Sequence, residues 1–206
     1  MIPLIQMLVA IQMLALPVWV GIAGARPGTG PARRLAWLAA PVVLLSAPLL
    51  LAAAMADRPA VVGVLRAQAV ALGFLVLLAG ARACLARRAG PRAAQGLVAL
   101  VGWTVLASVV LAGPAVAMLS GEAQALVARA AVYGNPLVAA EHEVGLAWLR
   151  QDLTYRSSVL GESYSYLAAD IAWYKTILFH AFVGSGLWVF SLPKNKRIQG
   201  QRDKGT

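Results

Sequence analysis

Few side chains here could do chemistry, and most of them sit inside or beside an apolar run. His180 stands near the middle of the run 171–192. An ionisable group within such a segment points to function by default. It could ligate haem, relay a proton or hydrogen-bond to a neighbouring helix. A bis-histidine haem site would need His142, which falls outside every apolar run. A polar contact between helices, worth roughly 0.6 to 2 kcal/mol, is the simpler role. Lys175 and Arg66 lie near the ends of their runs, where each can extend its charge to the interface while its stem stays in lipid. The two could also form an anion site. Glu141-His142-Glu143 has the residue types of a metal cluster without the spacing, since adjacent helical residues diverge and HExxH is absent.

Nucleophile and nucleotide signatures fail in the same way. Gly161-Glu162-Ser163-Tyr164-Ser165 departs from GxSxG at its last position and lies in a polar stretch, where no strand-to-helix elbow is expected. There is no Walker A loop and no GxGxxG. The expectation is a protein that is not an enzyme, with no metal and no cofactor. Any ATP hydrolysis behind its action must come from another chain.

The elements that hold these residues are far more distinct. Of 206 residues 60% are hydrophobic and 13% charged, and the mean hydropathy is +0.73, a balance foreign to soluble domains. A bilayer core about 30 Å thick is crossed by roughly 20 apolar residues as helix, the form that satisfies every backbone group internally. Five such runs stand out: Ile2 to Ala23, Leu35 to Met55, Val61 to Ala81, Gln95 to Leu119 and Ile171 to Leu192. The fold class expected is all-α, a polytopic transmembrane helix bundle forming a single integral membrane domain over 1–206. Pro17 interrupts the first run, and Pro41 and Pro48 the second. The first run has no basic residue before it, so it is expected to be retained rather than cleaved as a signal.

Loop charge gives the threading. Arg26, Arg33 and Arg34 follow the first run, and Arg82, Arg87, Arg88 and Arg92 follow the third, in both cases without acids. The tail 193–206 carries Lys194, Lys196, Arg197, Arg202 and Lys204 against Asp203, whereas the loop 120–170 is rich in acids. The positive-inside rule places the two arginine loops and the tail in the cytoplasm. Five spans meet all three placements with the N-terminus outside and the C-terminus inside. The net charge of +10 is then loop charge facing anionic lipid, not a nucleic-acid surface. The lone Cys84 permits no internal disulfide.

The outer loop 120–170 is too long to be structureless in a compact protein. Glu122 to Val132 reads as a helix with an acid at its start. Gly134-Asn135-Pro136 breaks the chain, and Pro136 suits the first turn of a second helix. Leu137, Val144 and Trp148 form an apolar stripe on that second helix, with Glu143 and Arg150 opposite and Glu141 near the stripe. Such an amphipathic piece could lie in the membrane interface or pack against the spans. Tyr155, Tyr164 and Tyr166, with Trp148, are candidates for contact with a partner.

The layout of residues 61–192 resembles the C-terminal part of ABC-2-type export permeases. The resemblance runs through the span ending in Arg82-Ala83-Cys84-Leu85-Ala86-Arg87-Arg88, the next span, Asn135-Pro136-Leu137, and a last helix entered by Trp173-Tyr174. It is mainly topological. It implies an integral subunit of a transport complex in the cell membrane, with partners that include the lipid bilayer, other membrane subunits and a separate cytoplasmic ATPase. That ATPase would dock on Arg33, Arg34, Arg87 and Arg88, residues whose topological role alone also accounts for them. The alternatives are a non-catalytic structural or assembly subunit of a respiratory or photosynthetic complex, and a haem- or quinone-associated protein using His180.

Overall fold

The computed structural model describes residues 2–23, 31–145 and 172–192, the side chains at 31, 32, 34 and 35 excepted. Among these residues every regular element is a helix. The helices are α1 (Ile2–Ala23), α2 (Pro31–Ala54), α3 (Arg58–Ala89), α4 (Pro91–Leu106), α5 (Ser108–Ala117), α6 (Gly121–Tyr133), α7 (Pro136–Glu143) and α8 (Trp173–Ser191).

The chain's punctuation explains the boundaries of α3. Asp57 caps its N-terminus by accepting from the Ala60 amide at 2.7 Å, with Pro59 early in the first turn. The helix ends at Gly90, whose φ of 85° favours glycine. Pro91 then opens α4, so the two helices are joined by a single residue. At 32 residues α3 is about 48 Å long and is the hub of the bundle, packing on α1, α2, α4, α7 and α8.

Named contacts fix the directions of the helices. Gly73 faces Ile177 and Gly80 faces Gly184, an equal step of seven along each chain, so α3 and α8 run parallel. Gln12 pairs with Gln68, while Ile2, Asp57 and Pro59 surround one cavity, so α1 runs the same way as α3. The Trp19 indole donates to the Trp37 carbonyl, and Ser46 reaches Gln68, which sets α2 antiparallel to α1. Gly21 faces Gln95, and the Trp103 indole donates to the Leu14 carbonyl, so α4 also opposes α1.

Among the described residues three helices are long and apolar enough to cross a membrane: Ile2–Ala23, Ala36–Ala54 and Arg58–Ala89. A fourth crossing results if the pair Pro91–Leu106 and Ser108–Ala117 counts as one. The protein is therefore an apolar helical bundle of the kind found in membranes. The first three expected runs correspond to α1, α2 and α3, which continue through Pro17, Pro41 and Pro48. The fourth, expected as one helix over 95–119, is broken at Ala107 and bent by 58°. The fifth is present as α8, but Lys175 and His180 dilute its apolar content, and it is not among the three.

Candidate functional site

The break after α4 and the start of α7 meet at one side chain. Asn135 is 1% exposed. Its amide nitrogen donates to the carbonyls of Leu106 at 2.7 Å and Val105 at 3.2 Å, and to Ser108 Oγ at 3.2 Å. In an unbroken helix those carbonyls would accept from residues 109 and 110. Its carbonyl oxygen accepts from the amides of Leu137 and Val138, capping α7. One asparagine thus serves two helix ends that would otherwise hold unpaired polar groups.

The neighbouring backbone is held by α8. Thr176 Oγ1 donates to the Tyr133 carbonyl at 2.9 Å. His180 Nε2 lies 2.9 Å from the Gly134 carbonyl, and because a carbonyl only accepts, Nε2 carries the proton. The imidazole sits between the rings of Phe74 and Phe179, with centroids at 5.7 and 5.6 Å. Its Nδ1 is buried without a hydrogen-bond partner. Phe74 lies about 24 Å along α3 from its start, so the α6–α7 junction sits about half-way along the central helix. His180 thus meets the α6–α7 linker, with Nε2 committed to the Gly134 carbonyl and Nδ1 left without a hydrogen-bond partner.

From Asn135 the chain climbs back along α3 as α7. Its residues Pro136 to Glu141 are all buried, which differs from the surface-lying amphipathic helix that the stripe also allowed. Ile2–Ala23, Arg58–Ala89 and Trp173–Ser191 all pack around it, so over Pro136 to Glu141 both faces are covered and no stripe is set apart. Glu141, placed by periodicity merely near the stripe, is fully buried, and neither carboxylate oxygen has a hydrogen-bond partner. Burial pushes this carboxyl up from the ordinary 4.5 to about 8. His142 is exposed. Close approach to α3 depends on Gly63, where a Cβ would collide with the Glu143 carbonyl.

Glu143 accepts from Arg66 at 3.2 Å, and the Arg66 guanidinium lies 5.9 Å from the centre of the Trp173 ring. Lys175 Nζ lies 5.5 Å from the centre of the Tyr133 ring. Arg66 and Lys175 thus have separate partners, and they do not converge on an anion. Val144, just beyond α7, accepts from Gln6 on α1 at 3.2 Å. An open cavity of about 260 Å³ lies here, lined by Asp57, Glu143, Val144 and Gly145 with Ile2 and Ile5.

A second polar cluster was not foreseen. Gln12 and Gln68 exchange two hydrogen bonds, at 2.9 and 3.0 Å, and Ser46 donates to Gln68 at 3.3 Å. This joins α1, α2 and α3. The only signal available was a long amide in the middle of each of two apolar runs.

Among the arginines expected at the cytoplasmic face, Arg87 donates to the carbonyls of Phe190 at 2.9 Å and Leu192 at 2.8 Å, closing the end of α8. Arg33 and Arg88 are exposed, and the side chain of Arg34 lies outside the described residues. Trp148, Tyr155, Tyr164 and Tyr166 also lie outside them. No group of three metal-ligating side chains occurs among the described residues. No family model, curated protein or solved structure matches the chain.

Proposed function

We propose that this chain is a multi-pass subunit of a transport complex in the cell membrane, similar in layout to ABC-2-type export permeases and driven by an ATPase on a separate chain. The observation that carries this reading is the broken α4–α5 pair, followed by the return of the chain to Asn135 half-way along α3. Non-helical backbone at membrane depth is tolerated only where protein buries it or where it lines a water-filled cavity, and broken helices of this kind recur in transporters. A corner held by side chains, rather than by a continuous helical ladder, has two ways to move: about the α4–α5 break and about the α6–α7 junction.

The threading fits this role. Parallel α1, α3 and α8 against antiparallel α2 and α4 are what five crossings require, with α8 as the last. That arrangement keeps Arg33, Arg87 and Arg88 on one side, in accord with the positive-inside rule. Exposed Phe182, Trp188 and Phe190 on α8 then face lipid or a neighbouring subunit.

Purification in mild detergent at native expression level tests the reading. An ABC-type ATPase is expected in stoichiometric amount, and it should be lost when Arg33 and Arg88 are both changed to Glu. Co-purifying cytochromes or other integral subunits without an ATPase would refute it and favour an assembly subunit instead.

A further inference from the structure

Glu141 is expensive to keep. A buried carboxyl with no partner destabilises a fold whether it is charged or neutral, because the neutral acid also leaves a donor and an acceptor unmet. An apolar residue of similar volume would serve the packing of α7 better. Yet Glu141 is fully buried with both oxygens unpartnered, on a helix clasped by α1, α3 and α8.

Among the described residues no charged group compensates it. The helix α1 carries none. On α3, Arg66 is held by Glu143, Asp57 caps the helix start, where Arg58 also lies, and Arg82, Arg87 and Arg88 lie at the opposite end. On α8, Lys175 lies over Tyr133 and His180 is bonded to Gly134. On α6, Glu122 and Arg129 are exposed, as is Arg92 on α4. A metal ion or Na⁺ would need several converging oxygens, and among the described residues no group of three His, Cys, Asp or Glu side chains forms. A proton needs only one. Val144, three residues on, lines the open cavity beside Asp57 and Glu143, so the path from Glu141 to water is less than one helical turn.

We propose that Glu141 is a proton-binding site, a carboxyl that releases its proton to water in the outer cavity and takes it back from there. The O–H bond breaks heterolytically, water carries the proton away, and the carboxylate left behind is hydrated only when the end of α7 loosens at the Arg66–Glu143 pair. The inference stands independently of the transport reading, since any membrane protein could carry such a site.

Dicyclohexylcarbodiimide, which partitions into apolar interiors and reacts with protonated carboxyls, is the probe. Vesicles holding the full chain are labelled over a range of pH, and the adducts are located by mass spectrometry. An adduct is expected at Glu141 but not at Asp57 or Glu143, falling by at least about tenfold between about pH 6 and about pH 10. Glu141→Gln, a shape match for the neutral acid, should abolish it. The wild-type profile decides the matter even if that variant folds poorly. No adduct at Glu141, or labelling that does not change with pH, would overturn the proposal. Protection by Na⁺ at fixed pH would overturn it too, making the site one for a metal cation.

Discussion

Asn135 joins two helix ends, its NH₂ reaching the carbonyls of Val105 and Leu106 and its carbonyl oxygen the amides of Leu137 and Val138. Replacing it with Leu keeps much of the volume but strips the carbonyls of Val105 and Leu106 and the amides of Leu137 and Val138 of their partner. A buried polar group left unpaired costs roughly 1 to 3 kcal/mol, so Asn135→Leu should lower stability by about 2 to 4 kcal/mol in reversible detergent unfolding. Asn135→Asp, which keeps the cap on α7 but loses the donors, should fall between it and wild type. A Leu variant within about 0.5 kcal/mol of wild type would remove Asn135 from its central place. Gly134-Asn135-Pro136 was legible as a chain break and Pro136 as the start of a helix. Illegible were the partners on α4, twenty-nine residues back, because local turn chemistry says nothing about what a side chain meets across the fold. Glu141 failed for a related reason: periodicity placed it near an apolar face, but α7 is buried from Pro136 to Glu141, with exposure only at its end around His142.

At the scale of elements, the parallel pair α3–α8 is the main packing unit of the bundle. The backbones come so close at Gly184 that a Cβ there would lie 2.5 Å from the Val76 carbonyl oxygen and 2.7 Å from Leu77 backbone atoms. Gly184→Leu must therefore push the helices apart, at a cost of about 1 to 3 kcal/mol or more. Gly186, where a Cβ would meet nothing within 4 Å, supplies the control. Gly186→Leu should be near neutral, and equal effects of the two changes on the unfolding midpoint would contradict this packing. Gly73 and Gly80 receive α8, a partner one hundred or so residues away that local sequence could not name. The break in the fourth run was hidden for another reason. It falls at Ala107 and Ser108, neither a helix breaker, while Pro114 sits inside α5. Asn135, brought in from a distant segment, supplies the donors that let the ladder stop.

For the whole molecule, an apolar helical bundle was plain from composition and from run length, because crossing hydrocarbon imposes both. The arginines suggest a threading, and parallel α1, α3 and α8 against antiparallel α2 and α4 are compatible with it. The fold-back through α5, α6 and α7 was not legible, since hydropathy measures the length of an apolar segment and is blind to where a chain reverses. The proposed threading makes five crossings and turns a corner inside the bundle. Single-cysteine accessibility in intact and opened vesicles, on a Cys84→Ser background, tests it most directly. Asp57→Cys and Ser120→Cys should react with an impermeant maleimide only from outside, Gly90→Cys only from inside, and Asn135→Cys from neither. Gly90 and Ser120 labelled from the same side, or Asn135 labelled freely, would contradict it.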